Sequence, residues 1–388
     1  MRRSRFPVVF LFASMLPLAA HAQGKTPATQ VVDLKAGGGV TLKATYYPAG
    51  RPGPGILMLH ACNKDRSSWA QLATDAAAKG FHVLALDFRG FGESGGPRFN
   101  LGPEQQSTVD LYWPGDVDAA LGWLTSQSGV DKTRIGATGA SCGVNQAVLL
   151  ARRHPEVKTL VLLSGGVNPA ARLHLRDSPG LPIFGAASSG DGGAVDQVRW
   201  ALGWSRNPDN TFVEYHAAGH GTDMFAVEKN LEPMVLDWFD AHLRNAPEKP
   251  AAVVASKPSP TEEFWNTLSA PGGVAKARQM YDDAKRAGKK TVFFPENETN
   301  LLGYQLLQEG NAKDAIEVFK LNVEAYPASA NTYDSLSDAY LALGNTAEAL
   351  RYAEQAIAML PKDAEAPDNL KTLVRESAEK KIKALRKQ

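Results

Sequence analysis

Short apolar runs alternate with amphipathic or alanine-rich segments from residue 31 to about residue 243. The apolar runs have the length of strands, and the segments between them carry apolar residues at helical spacing. This alternation is typical of an α/β fold in which a mostly parallel sheet is flanked by helices. The predicted strands are residues 40–47, 55–60, 81–87, 134–138, 159–163, 181–186 and 211–216, and the predicted helices are residues 69–79, 116–125 and 144–153.

The pattern changes near residue 246, where prolines are interspersed with alanines and the amphipathic period is lost. Such a composition predicts a semi-rigid linker. We therefore expect an α/β domain at residues 23–245, a linker at 246–261 and a second domain at 262–388.

The second domain contains an internal repeat with a displacement of 34 residues, which is the tetratricopeptide period. The repeat predicts an all-α domain with two tetratricopeptide-like repeats, at residues 296–329 and 330–363. Two repeats are fewer than such an array needs to cover its apolar faces, so flanking helices at 262–286 and 369–386 are expected to cap them. The recurring pairs are Leu302 and Leu336, Gly310 and Gly344, Asn311 and Asn345, Ala315 and Ala349, and Pro327 and Pro361.

The N-terminus has the features of a cleaved secretory signal at residues 1–22. Three arginines precede an apolar run at residues 6–18, and Ala20 and Ala22 supply the small residues that a signal peptidase reads. The alternative is an uncleaved anchor, but the run is shorter than the roughly 20 residues that span a bilayer. The prediction is a secreted or periplasmic protein without a membrane span after signal cleavage.

Charge and motif content exclude several classes of function. The 388 residues include 42 basic and 41 acidic side chains, so the balance gives no reason to expect a nucleic-acid partner. The chain has neither a His-Glu-x-x-His motif nor paired Cys-x-x-Cys motifs, and it has no glycine-rich phosphate loop. We therefore expect neither a metal nor another cofactor.

The most informative motif is Gly-x-Ser-x-Gly at residues 139–143, between a predicted strand and a predicted helix. In that setting the motif predicts a nucleophile elbow, a sharp turn from which the hydroxyl of Ser141 projects into a cleft. A serine hydroxyl is a poor nucleophile near neutral pH, so Ser141 requires a general base and a third group that orients the base.

His220 is the predicted base, because it follows a strand and lies between Gly219 and Gly221 on a flexible turn. The predicted acid is Asp191, on a loop just after the strand at 181–186, and Asp196 is the alternative. Either aspartate is also suited to capping the helix that starts nearby. The backbone amide of Cys142 is the expected first donor to an oxyanion, and the second is expected from the loop at residues 60–63.

These motifs together resemble the α/β-hydrolase family, especially its dienelactone-hydrolase-like and small-esterase members. The resemblance covers residues 31–243 and rests on five segments that occur in family order. It implies that the amides of Cys62 and Cys142 form the oxyanion hole. The five segments are His60-Ala61, residues 87–94, the elbow at Ser141, Asp191, and Gly219-His220-Gly221.

Cys62 and Cys142 are the only cysteines, and the resemblance implies that their backbone amides face the same oxyanion. A disulfide between them is one expectation, and two buried free thiols are the other. The leading functional hypothesis is a secreted serine hydrolase that acts on a small-molecule ester or related acyl substrate. A serine peptidase or an acyltransferase would use the same triad. A non-catalytic scaffold is a further alternative, in which the repeats bind a peptide or protein or associate with each other.

Overall fold

The computed structural model describes residues 28–99, 103–246, 260–288, 294–364, 366 and 368–386. The predicted signal peptide at 1–22 lies outside the described residues, as do residues 247–259 of the predicted linker. Among the helices that are described, none is long and apolar enough to cross a membrane.

The described residues of the first region form an eight-stranded sheet with the order β1-β2-β4-β3-β5-β6-β7-β8. The pairs β1–β2 and β2–β4 are antiparallel, and all other pairs are parallel. The predicted mostly parallel sheet is therefore confirmed. The strands are β1 Gln30–Lys35, β2 Thr41–Tyr47, β3 Gly53–Leu59, β4 His82–Leu86, β5 Val130–Ala140, β6 Val157–Leu163, β7 Ile183–Ser188 and β8 Thr211–Tyr215.

Helices cover both faces of the sheet, and β3 shows how the sequence specifies this. Ile56 and Met58 pack in one apolar cluster, whereas Leu57 and Leu59 pack in another, because successive side chains of a strand point to opposite faces. A strand that is buried on both faces is a continuous apolar run, as expected for the interior of a parallel sheet. The helices of this region are α1 Ala70–Lys79, α2 Pro103–Ser126, α3 Cys142–Arg153, α4 Pro169–Asp177, α5 Ala194–Trp204, α6 Met224–Val227 and α7 Leu231–Phe239.

Several features of this region differ from the expectation, because α4, α6 and α7 are not among the predicted helices. The edge strand β1 is not among the predicted strands, because its residues are mostly exposed and lack an apolar run. The helix predicted at 116–125 begins at Pro103 and continues through Pro114. Proline is favoured in the first turn of a helix but usually interrupts its interior. The presence of Pro114 therefore favours a helix that begins after it, and the first half of α2 is not predicted.

All the secondary-structure elements in the described residues of the second region are helices. Helices α10 and α12 start at residues 296 and 330, and α11 and α13 start at 312 and 346, so both pairs repeat at the period of the sequence. The segment predicted as one capping helix forms two, α8 and α9. The helices are α8 Pro260–Leu268, α9 Val274–Arg286, α10 Glu296–Gln308, α11 Ala312–Ala325, α12 Ala330–Ala342, α13 Thr346–Met359 and α14 Asp368–Leu385.

The helical region and the sheet region share one apolar core. The cluster that contains Leu175 of α4 and Trp204 of α5 also contains Phe264, Trp265 and Leu302 of the helical region. The sequence gives no indication of this shared core. Its pattern shows which face of each helix is apolar, but it does not show which element packs against that face.

A pair of carboxyl groups between α1 and α7 predicts a pH-dependent stability. Glu232 and Asp75 line a cavity of about 540 Å³, together with Lys229. Burial and the neighbouring carboxyl group of Asp75 raise the pKa of Glu232 from 4.5 to about 7. A carboxyl group with a raised pKa in the folded state stabilises the fold below its unfolded pKa, and this contribution is lost as the pH rises through the folded pKa.

The free energy of unfolding is therefore expected to fall between about pH 4.5 and 7. Because Glu232 is partly exposed, solvent screening limits the contribution to about 1 kcal/mol. Urea unfolding of the wild type and Glu232→Gln at pH 5 and pH 7.5 measures it. The substitution should remove part of the pH dependence, and an identical dependence in both proteins would show that Glu232 does not titrate in this window.

Candidate active site

Ser141 occupies the turn between β5 and α3. Strand β5 ends at Ala140 and α3 begins at Cys142, so the change of direction is made at Ser141 alone. Its backbone has φ 52° and ψ −120°, a conformation that a residue with a side chain rarely adopts. Such a conformation costs on the order of 1–3 kcal/mol and persists only where the surroundings enforce it. The chain thus holds Ser141 in a strained turn, partly exposed at the N-terminus of a helix.

The two glycines of the motif are required by close backbone contacts. A Cβ at Gly139 would collide with the carbonyl group of Gly143, and a Cβ at Gly143 would collide with the carbonyl group of Leu59 in β3. Only glycine permits both approaches. The spacing in the sequence therefore reflects tight packing of the turn against α3 and the neighbouring strand.

His220 and Asp191 are hydrogen-bonded to each other. The Nδ1 atom of His220 lies 2.8 Å from Oδ1 and 2.7 Å from Oδ2 of Asp191. An ionised carboxylate only accepts hydrogen bonds, so this contact favours the tautomer of His220 with its proton on Nδ1 and a lone pair on Nε2. The alternative acid, Asp196, is exposed in the first turn of α5. The N-cap of α5 is Gly193, so neither aspartate is its N-cap residue.

The loop of His220 lies beside the serine turn. Gly221 has a positive φ of 57°, and a Cβ built there would lie 3.2 Å from the Cβ of Ala140 and 4.0 Å from the Cβ of Ala61. The residue after His220 therefore packs between the residue before Ser141 and the residue before Cys62. Four segments far apart in the sequence meet at the carboxyl edge of the sheet, where ligands bind in open α/β sheets.

His60 holds the loop that contains Cys62. Its ring is fully buried, Nδ1 lies 2.7 Å from the carbonyl oxygen of Ala61, and Nε2 accepts a hydrogen bond of 3.0 Å from the amide of Phe88. Burial lowers the pKa of His60, which favours the neutral ring with its proton on Nδ1. Because a peptide unit is planar, the bond to the Ala61 carbonyl also fixes the direction of the Cys62 amide. The sequence places His60 in a family motif but does not reveal this orienting role.

Cys62 and Cys142 are joined by a disulfide, with their Cα atoms 5.8 Å apart. The bond links the loop after β3 to the first residue of α3, directly after Ser141. The two amides that the sequence suggests as oxyanion donors therefore belong to covalently linked residues.

The disulfide closes a long loop, so removing it is expected to lower the free energy of unfolding. For a separation of 80 residues, the chain-entropy model gives a loss of about 4.5 kcal/mol in the double variant Cys62→Ser/Cys142→Ser. Urea unfolding with and without a dithiol reductant measures this loss. Reduction should destabilise the wild type and leave the double variant unchanged, and equal effects on both proteins would contradict the prediction.

Other polar residues near the site have structural contacts. Asp87 accepts hydrogen bonds from the backbone amides of Arg66 and Glu93, at 2.7 Å and 3.0 Å, and forms an ion pair with the Arg66 side chain. Arg89 forms a buried two-point ion pair with Asp116. These contacts give Asp87 and Arg89 structural roles. In the described ranges, no group of three or more His, Cys, Asp or Glu side chains is placed to bind a metal ion.

Comparisons with known proteins agree with the architecture. Residues 54–207 match the family model of the alpha/beta hydrolase fold. An uncharacterized protein of Mycobacterium tuberculosis is 35% identical over 159 residues, which are 40% of this chain and 52% of that protein. Thiohydrolase apmlB of Arthrinium phaeospermum is 30% identical over 154 residues, which are 39% of this chain and 47% of that protein. The chain thus spans about half the length of these curated relatives.

Similar solved structures include a dienelactone hydrolase from Anabaena variabilis. It is 21% identical, and the similarity covers 57% of this chain and all of that one with a TM-score of 0.45. The family match contains Ser141 and Asp191 but ends before His220. The match and the sheet confirm the predicted resemblance, and they show the α/β-hydrolase fold for residues 54–207.

Proposed function

We propose that this protein is a serine hydrolase that cleaves an ester or a related acyl bond through an acyl-enzyme on Ser141. The observation that carries the proposal is the bond of 2.7–2.8 Å between His220 and Asp191 on loops beside the strained turn of Ser141. A nucleophile at a tight turn, a histidine in a defined tautomer and a carboxylate that orients it are the components of acyl transfer.

In the proposed reaction, Oγ of Ser141 attacks the acyl carbonyl carbon while Nε2 of His220 takes the hydroxyl proton. The carbonyl oxygen becomes an oxyanion, which accepts hydrogen bonds from the amides of Cys62 and Cys142. Each such donor contributes roughly 3–4 kcal/mol to transition-state stabilisation. Asp191 stabilises the positive charge that forms on His220.

The tetrahedral intermediate then collapses. The bond to the leaving oxygen breaks, and His220 donates its proton to that oxygen. A water molecule attacks the acyl-enzyme with His220 again as base, and a second collapse releases the acid and restores the Ser141 hydroxyl. No group outside the proposed triad and the two amides is needed to balance these steps.

We further propose that the protein acts outside the cytoplasm. The disulfide between Cys62 and Cys142 supports this proposal, because structural disulfides persist mainly in oxidising compartments. The basic and apolar N-terminal sequence supports it independently.

A substrate panel tests the proposed activity. Initial rates are measured with matched ester, thioester, lactone and peptide substrates, each with and without an added alcohol as acceptor. We expect the acyl-oxygen or acyl-sulfur substrates to be hydrolysed. Turnover of the peptides alone would identify a peptidase. Transfer of the acyl group to the alcohol in preference to water would identify an acyltransferase. No turnover of any substrate would reject the proposed enzymatic activity.

A further inference from the structure

The first turn of α10 contacts two loops of the proposed active site. A Cβ built on Gly166, just after β6, would lie 3.0 Å from Oε1 of Glu298. A Cβ built on Gly193, two residues after Asp191, would lie 3.3 Å from Nδ2 of Asn297. The helical region therefore approaches the carboxyl edge of the sheet, where Ser141 lies.

This contact is fixed by a buried ion pair. The guanidinium of Arg172 in α4 bonds to the carboxylate of Glu298, and the two side chains are 1% and 6% exposed. Arg172 also stacks on Trp265 of α8 with its guanidinium carbon 4.6 Å from the ring centroid. Two buried charges are stable only when each is paired, so loss of one partner leaves an uncompensated charge.

Arg172 also holds the loop between β6 and α4. Its Nη1 atom donates a hydrogen bond of 2.9 Å to the carbonyl oxygen of Val167. The same nitrogen makes the contact with Glu298. The guanidinium group of Arg172 thus connects residues 164–168 to the helical region, in addition to the direct contact between Gly166 and Glu298.

The loop at residues 164–168 packs behind the serine turn. A Cβ at Gly165 would collide with the carbonyl oxygen of Ser141, so the loop backbone is in close contact with the turn. The amide of Asn168 donates a hydrogen bond of 2.9 Å to the side chain of Asn145 in α3. The loop therefore contacts both Ser141 and the helix that follows it.

We propose that Glu298 and Arg172 are positioning residues, through which the helical region holds the loop at 164–168 and thereby the turn of Ser141 in its reactive geometry. This inference rests on the proposed function. It makes the helical region part of the catalytic unit, in addition to any partner that the repeats bind.

The test is the substitution Glu298→Gln in the full chain, which keeps the shape and a hydrogen-bond acceptor but removes the charge that Arg172 pairs with. We expect kcat for the ester substrate to fall about 10- to 100-fold, because small displacements of a nucleophile have effects of this size. KM should change by less than about threefold, since both side chains are buried and act through the loop at 164–168. If this variant fails to fold, Glu298→Asp keeps the charge but shortens the side chain, and the same fall in kcat is expected.

The matched control is Arg206→Gln. Arg206, just after α5, pairs with Glu262 of α8 at 3.1 Å, so this pair also joins the two regions, but it does so through α5 and α8. The control should lower the thermal midpoint without lowering kcat. Equal kcat values for the Glu298 variant and the wild type, or equal losses of kcat for the Glu298 variant and the control, would overturn the positioning role while leaving the proposed function intact. A wild type without turnover would overturn both.

Discussion

Replacing Ser141 by alanine is expected to lower kcat for the preferred ester by about 10⁶-fold, the effect seen when a serine hydrolase loses its nucleophile. The hydroxyl is the group that forms the covalent bond to the acyl carbon, and alanine has no replacement for it. Only the slower reaction supported by binding and the oxyanion amides would remain. Initial rates at saturating substrate, with the same preparation checked by thermal unfolding, measure the loss.

The variant Ser141→Gly separates the chemistry from the strain of the turn. Serine and alanine both carry a Cβ at φ 52°, whereas glycine adopts this conformation without penalty. Ser141→Gly should therefore be more stable than Ser141→Ala by about 1 kcal/mol, but equally inactive. Activity in the glycine variant would show that the hydroxyl of Ser141 is not the nucleophile.

The second large effect is expected for Asp191→Asn, which should lower kcat by about 10⁴-fold. The amide group of asparagine can donate a hydrogen bond to Nδ1 of His220 and so favour the tautomer with its proton on Nε2. In that tautomer His220 cannot accept the proton from Ser141, and the neutral amide does not stabilise a positive ring. The shape of the site should be retained, so KM is expected to change little.

Asp196→Asn is the matched control for this substitution. Asp196 was the alternative acid from the sequence, and it lies only five residues away. Its carboxylate is exposed in the first turn of α5, so its loss should cost at most about 1 kcal/mol of stability through the helix dipole. A large fall in kcat for Asp196→Asn with normal activity in Asp191→Asn would reverse the assignment.

The sequence predicts much of the sheet because its information is local. Residues 56–59 form a continuous apolar run, which is typical of a strand that is buried on both faces inside a parallel sheet. The glycines around Ser141 likewise signal a close backbone approach at a fixed spacing. The apolar pattern therefore predicts the fold class, and the spacing of the glycines predicts that Ser141 lies at a turn.

Other parts of the structure depend on contacts that no local pattern records. Asp191 and Asp196 have the same chemistry and similar settings in the sequence, and only the course of the loop brings Asp191 to His220. The pair of Arg172 and Glu298 joins residues 126 positions apart. Each residue alone is indistinguishable in the sequence from an exposed charge on a helix.

The central claim is that Ser141 is an activated nucleophile, and covalent labelling with a fluorophosphonate tests it most directly. The wild-type protein is incubated with the probe, and the labelled residue is identified by mass spectrometry of its peptides, with Ser141→Ala as control. We expect one phosphonyl group on Ser141 of the wild type and no adduct on the variant. An unlabelled wild type, or equal labelling of both proteins at another residue, would contradict the account.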